Sequence, residues 1–309
     1  MKKNYNILSG YSWYVPDVRG LVILVLWFLL GALLGNVVTG VIAIVAGSEF
    51  AMSYGMIIGY PLMFIPAMIY ASLKSKSASF YKDGVALDSR HFGKMGGALC
   101  ALLAALATVA AGYVTDGISS VLPQMPEYLK KLLQGMVSGN FWVNFLLVSI
   151  FAPLFEEWLC RGVVLRSLLN YRRSGRRGPD GTVSEERKGI APVWAIVISA
   201  VFFALIHGNL WQALPAFVLG CLFGFVYYRT GSLKLTMLMH CVNNTVSLLL
   251  SRVDSLEEVE SWMQLLPGRQ YWIIFAAAVL LIALIVRAFQ RIPLQEVSGN
   301  CDSVDLTDI

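Results

Sequence analysis

The sequence predicts an all-α, polytopic transmembrane helix bundle of about eight spans, and three observations lead there. Hydrophobic residues make up 57% of the 309 and charged residues only 14%, against roughly 45–50% and 25% in an ordinary soluble domain. The mean hydropathy of +0.66 comes from continuous runs and not from scattered core positions. Lysines and arginines gather on one side of those runs, the pattern that cytoplasmic loops impose. A chain with this much apolar surface has lipid for part of its solvent.

A spanning helix needs about 20 mostly apolar residues. Runs that meet or nearly meet this length occur at about 20–46, 52–73, 95–114, 140–170, 191–208, 211–228, 233–250 and 270–289. The first starts too late and runs too long for a cleavable signal segment despite Lys2 and Lys3, so it is expected to remain as an anchor. The fourth is long, and Pro153 gives it a place to kink. With the amino terminus in the cytoplasm, only Lys130, Lys131, Arg252 and Arg269 of the 24 lysines and arginines fall outside, and Arg161 alone is placed within a span. All the others, Arg166 among them, lie inside, which predicts that both termini are cytoplasmic.

No soluble block interrupts the runs, so residues 1–291 read as a single integral-membrane domain. The polar, acidic stretch 292–309 reads as a disordered cytoplasmic tail. The glycine pairs Gly31/Gly35, Gly55/Gly59 and Gly220/Gly224 predict close helix packing. Arg172 to Gly181 is a basic linker suited to anionic headgroups, and Val253, Leu256, Val259 and Trp262 predict a short helix on the outer surface. The five cysteines contain no C-x-x-C pair, which excludes a disulfide framework or zinc ribbon. The net charge of +5 is accounted for by loop cations, so no nucleic-acid partner is expected.

An ionisable group within a span costs about 2.5–3.5 kcal/mol on insertion scales and marks function by default. The fourth run contains Glu156, Glu157 and Arg161. Glu157 and Arg161 are four apart on one helical face and can pair. Glu156 lies about 100° around the helix from Glu157. Left without a local partner, it must find a cation elsewhere, take up a proton or face water, all of which describe a candidate general base. Two of the three histidines also sit in spans, in the patterns Phe203-x-x-x-His207 and His240-x-x-x-Asn244. His240 and Asn244 are one turn apart, where imidazole and carboxamide can donate to one small target.

The motifs Glu156-Glu157-x-x-x-Arg161, Phe203-x-x-x-His207 and His240-x-x-x-Asn244, in this order, resemble those of a family of intramembrane endopeptidases. These are the CAAX-processing and bacteriocin-processing enzymes, relatives of the Ras-converting prenyl-protein protease. The resemblance covers about residues 140–250, taken as the protease core, and Thr230-Gly231-Ser232-Leu233 is similar to bacterial members. It implies that Glu156 is the catalytic carboxylate, that His207 helps it activate water, and that His240 and Asn244 stabilise the oxyanion. Glu157, Arg161 and Phe203 are then supporting residues. Peptide hydrolysis needs an activated water, a base and donors for the tetrahedral oxygen, and all three have candidates here. Neither G-x-S-x-G nor H-E-x-x-H occurs.

The expectation is therefore an endopeptidase of the cell membrane, bacterial in type, cutting membrane-embedded or membrane-associated peptides and proteins. Its rivals are a proton-coupled transporter using the same buried groups and a non-catalytic immunity or scaffold protein. No cofactor is expected; the alternative is zinc on Glu156, His207 and His240, since catalytic zinc often takes two histidines and a carboxylate. One geometric difficulty stands: on straight helices His207 lies about 25 Å above the cytoplasmic side and His240 about 12 Å. Tilt, a kink at Pro153 or a seventh helix that starts within the membrane must close that gap.

Overall fold

The computed structural model describes residues 11–79, 85–170, 172–173, 186–187, 189–253, 255, 259 and 261–294. Helices coincide with all eight apolar runs. They are α1 (Val18–Ala46), α2 (Met56–Ser79), α3 (Gly96–Ser119), α5 (Phe141–Asn170), α6 (Pro192–Leu205), α7 (Leu210–Thr230), α8 (Leu233–Leu250) and α9 (Gly268–Gln290). In hydrocarbon only a helix or a closed barrel satisfies every backbone group, so runs of this length fold as helices. Six of them (α1, α2, α3, α5, α7 and α9) are long and apolar enough to cross a membrane. α6 is shorter, and α8 carries His240, Asn243 and Asn244 in its middle.

One helix was not anticipated. α4 (Glu127–Val137) has apolar residues at 128, 129, 132 and 133 and lysines at 130 and 131. Leu129 is buried while Tyr128 and Leu132 are exposed, the disposition of a helix lying at an interface. Of the outer helix expected at 253–262, Leu256 lies outside the described residues, and a short 3-10 turn forms at Trp262–Gln264. It is tied down by Asp116 of α3, whose carboxylate accepts from Ser261 Oγ at 2.9 Å and Trp262 N at 3.3 Å. The basic linker begins in a two-residue ladder with residues beyond it, Arg172 opposite Arg187 and Arg173 opposite Glu186. Its interior, and the tail beyond Leu294, lie outside the described residues.

Local sequence sets the helix ends. The Asp17 carboxylate accepts from Gly20 N at 2.7 Å and opens α1, and Gly47, with φ of 93°, ends it. Asn209 caps α7 through Gln212 N, Gly231 closes that helix in the left-handed conformation, and Ser232 opens α8 one residue later.

α1 and α2 pack through their glycines. A Cβ at Gly35 would sit 2.3 Å from the Gly59 carbonyl oxygen, and one at Gly31 would sit 2.2 Å from that of Met63. Backbones this close let dispersion act between helices that lipid does not push together. Gly220 and Gly224 face Ala200 and Ile196 in the same way and seat α7 on α6.

α5 is the central element, with residues 157–167 buried without a break. A helix buried on every side lies inside a bundle. Its last turn corrects one expectation from charge counting. Arg166, counted there as a loop cation, is only 3% exposed. Its guanidinium donates to the carbonyls of Val85 (2.7 Å), Tyr14 (2.8 Å) and Tyr11 (3.2 Å). Backbone oxygens replace water around the charge and fasten both the segment before α1 and the segment after α2 to the end of α5.

The segment 85–91 in turn covers the start of α8. Asp88 accepts from Lys234 N at 3.2 Å and pairs with Lys234 Nζ at 3.3 Å, Ser89 N donates to Gly231 O at 2.8 Å, and Leu233 is fully buried. α8 thus begins beneath a cover of polypeptide.

The glycine contacts predict opposite outcomes along α1. Gly35→Ala pushes a methyl into the Gly59 carbonyl and costs about 1–3 kcal/mol. Gly40→Ala, with nothing within 4 Å of its Cβ, is neutral or slightly stabilising, because alanine is the better helix former. Thermal unfolding of the two variants in detergent checks both.

Candidate functional site

The polar groups of α5 are held in a helix that changes pitch twice. Residues Phe145–Phe151 form wide π-type turns, Ala152–Glu157 a regular α segment, and Trp158–Leu165 a second wide stretch. Proline explains the first. In the wide register the Ala152 N–H reaches back five residues to Leu147 O, so Val148 O would take its hydrogen bond from residue 153. Pro153 has no N–H. The stranded carbonyl receives the Asn244 carboxamide of α8 instead, at 2.8 Å. Such bulges are frequent at functional sites.

Glu157 and Arg161 pair as their spacing predicts. Nη1 donates to Oε1 at 2.9 Å, and both side chains are 0% exposed. Arg161 Nη2 also donates to Gly220 O of α7 at 3.0 Å. The guanidinium carbon sits 4.5 Å from the Phe203 ring centre and 5.4 Å from that of Phe223. The cation therefore has a carboxylate, a carbonyl and two π faces for solvation.

His240 joins the two carboxylates. Its Nδ1 lies 3.1 Å from Glu157 Oε1 and its Nε2 lies 3.9 Å from Glu156 Oε2. A carboxylate paired with arginine can only accept, so Nδ1 carries the hydrogen and Nε2 is the atom presented to Glu156. Glu156 is 13% exposed. Its Oε1 accepts a short hydrogen bond from the Tyr60 hydroxyl of α2, and its Oε2 is buried with no hydrogen-bond partner among the described residues.

The structure thus brings Glu156, Glu157, Arg161, Phe203 and His240 into one cluster, with Asn244 a turn further along α8. His207 stands apart. It follows the end of α6, in the turn to α7 that Gly208 makes at φ of 70°. Its Nδ1 bonds Phe203 O at 2.8 Å, which puts the hydrogen on Nδ1 and leaves Nε2 as acceptor. No hydrogen bond or ion pair joins it to either carboxylate. It meets the cluster through Phe203, whose ring stands nearly perpendicular to both imidazoles, with centroids 5.0 Å from His207 and 5.4 Å from His240. Both imidazoles lie against the one Phe203 ring, so the two histidines are closer together than straight helices predict.

Among the described residues no three His, Cys, Asp or Glu side chains are placed to hold a metal ion. Tyr60 was missed at the level of sequence. The available signal is a hydroxyl in the middle of an apolar run, after Gly59 and before Pro61, because such a group needs a partner in lipid. Phe223 and the Gly220 carbonyl carry no sequence signal of their own.

Removing either half of the buried ion pair leaves the other charge stranded, at about 3–5 kcal/mol. Glu157→Gln and Arg161→Leu are each expected to lower folded yield and thermal midpoint sharply. The double variant recovers part of the loss, and size-exclusion profiles and melting curves of the three proteins read this out.

Residues 138–246 match the family model described as type II CAAX prenyl endopeptidase Rce1-like. No curated protein and no solved structure gives a match. The matched stretch runs from just before α5 into α8 and contains Glu156, Glu157, Arg161, Phe203, His207, His240 and Asn244, whereas Tyr60 lies outside it. The match implies CAAX-type intramembrane protease activity on a membrane-associated protein. The segment that builds this site is Rce1-like, and the chain that carries it is a multi-pass membrane protein.

Proposed function

We propose that the protein is an intramembrane endopeptidase that cuts membrane-associated peptides or proteins with a water activated by Glu156. The observation that carries this reading is the inequality of the two Glu156 oxygens. Tyr60 occupies Oε1, while Oε2 is a buried acceptor with no hydrogen-bond partner that faces His240 Nε2 across 3.9 Å. An oxygen atom about 2.8 Å from each would subtend an angle of about 90°, within reach of one water bonded to both.

In this scheme the water oxygen attacks the scissile carbonyl carbon as Oε2 takes its proton. The developing oxyanion receives hydrogen bonds from Asn244 Nδ2, which spends only one of its two hydrogens on Val148 O, and from Nε2 of His240 as imidazolium. Glu156 then returns the proton to the leaving amine as the C–N bond breaks. Glu157 orients His240, Arg161 offsets its charge, and Nε2 of His207 is an acceptor that can orient the water. The scheme uses no metal. Its setting is a single integral-membrane domain in a cell membrane, bacterial in type.

Glu156→Gln is expected to keep the wild-type thermal midpoint while cleavage falls about 10²–10⁴-fold, the usual contribution of a positioned base. A comparison of peptide termini in membranes carrying wild type or Glu156→Gln tests this, and equal termini would overturn it. Tyr60→Phe frees Oε1 to rotate and is expected to lower kcat by about tenfold with KM little changed, a loss of one hydrogen bond to a charged group. Elemental analysis of active protein tests the metal-free scheme: one zinc per chain, with activity lost on chelation and restored by zinc, would replace it.

A further inference from the structure

At the end of α1 and α2 where the arginines and lysines gather, a cleft of about 640 Å³ opens between the segment before α1, α1 itself and α2. It is separate from the Glu156 cluster, and nothing in the proposed chemistry uses it. Two cations line it, Arg19 and Lys74. Both are exposed, and neither forms an ion pair with a described carboxylate. The one acid in the lining, Asp17, has Oδ1 engaged in capping α1. Among the described residues, two positive charges and one negative line the cleft and leave one uncompensated positive charge, the complement of a monoanionic phosphodiester.

The walls are aromatic and fixed. Tyr14 and Tyr70 stand edge to face at 6.1 Å, Lys74 Nζ lies 5.8 Å over the Tyr70 ring, and Trp27 stacks beside Tyr70 at 6.3 Å. Tyrosine and tryptophan rings of this kind favour the headgroup level of a bilayer. The outer wall is the segment before α1, which Arg166 holds to the end of α5.

The floor decides between a lipid and a small soluble anion. Ile23 lines the cleft, and Trp27, Leu30 and Leu34 follow it at spacings of four, three and four, so all lie on one face of α1. Trp27, Leu30 and Leu34 are exposed. An acyl chain leaving the cleft has a continuous apolar track on α1, which a free phosphate cannot use. We infer that this cleft binds an anionic glycerophospholipid of the cytoplasmic leaflet, its phosphate between Arg19 and Lys74 and one acyl chain along the Ile23–Leu34 face.

The test compares full-length wild type with the double variant Arg19→Gln/Lys74→Gln, both purified and delipidated in detergent. Both residues are exposed and neither pairs with a described carboxylate, so the variant is expected to fold with the wild-type midpoint. The added probes are phosphatidylglycerol, phosphatidylcholine and inorganic phosphate, read by native mass spectrometry and by thermal midpoint. The expected result is retention of phosphatidylglycerol by wild type, with a midpoint raised by several degrees. Phosphatidylcholine and phosphate leave it unmoved, and the double variant loses at least tenfold in affinity for phosphatidylglycerol. Three results would overturn the assignment: no retention by wild type, equal retention by the double variant, or an equal response to inorganic phosphate, which would make the ligand a soluble anion. If the double variant fails to fold, Leu30→Gln/Leu34→Gln, which breaks the acyl track outside the cleft and adds no charge, must weaken phosphatidylglycerol and not phosphate for the inference to stand.

Discussion

A guanidinium and a carboxylate with no access to water, Arg161 and Glu157, fix the arrangement of the helices around α5. Each charge alone would cost several kcal/mol of desolvation, and the single hydrogen bond between them does not offset that by itself. The remainder is supplied by other helices: the Gly220 carbonyl from α7, the Phe203 ring from α6, the His240 imidazole from α8. Three neighbours are held in register because one pair needs what they bring. Gly220 does two things here, since its missing side chain seats α7 against Ala200 while its oxygen meets the guanidinium.

The backbone of α5 contributes as much as its side chains. Two wide-turn segments bracket the short α-helical stretch that ends in Glu156 and Glu157. The first exists where proline removes a donor, and the carbonyl so released becomes the anchor for Asn244. A residue whose carboxamide is a candidate oxyanion donor is thereby oriented by a defect in the opposite helix. Wide turns also rotate successive side chains less than 100° apart, so the positions of Glu156 and Glu157 relative to Asn244 depend on both segments.

Much of this was legible in the sequence, for reasons that can be named. Run length alone located the eight apolar helices, because lipid leaves the backbone no other solution. The four-residue spacing of Glu157 and Arg161 foretold their pairing, and it survives although the helix widens from Trp158 onward. Three features were hidden. Tyr60 meets Glu156 across 96 residues of chain, a contact set by how α2 leans on α5. Arg166 reads as an ordinary loop cation until its carbonyl partners are seen. α4 is too short and too charged to register as a span, although its apolar positions repeat at helical spacing.

Phe203 has a consequence that lies in what its ring cannot do. It stands nearly perpendicular to the His207 and His240 rings, with the Arg161 guanidinium over its face. A phenyl ring polarises, but it neither gives nor takes a hydrogen ion. The Nδ1 hydrogen of His207 is tied to the Phe203 carbonyl and that of His240 to Glu157, so protein groups form no unbroken wire from one imidazole to the other. The two histidines share a neighbour, yet among the described residues no protein group hands a proton from one to the other, so any exchange between them runs through the water of the proposed site and stays local to it.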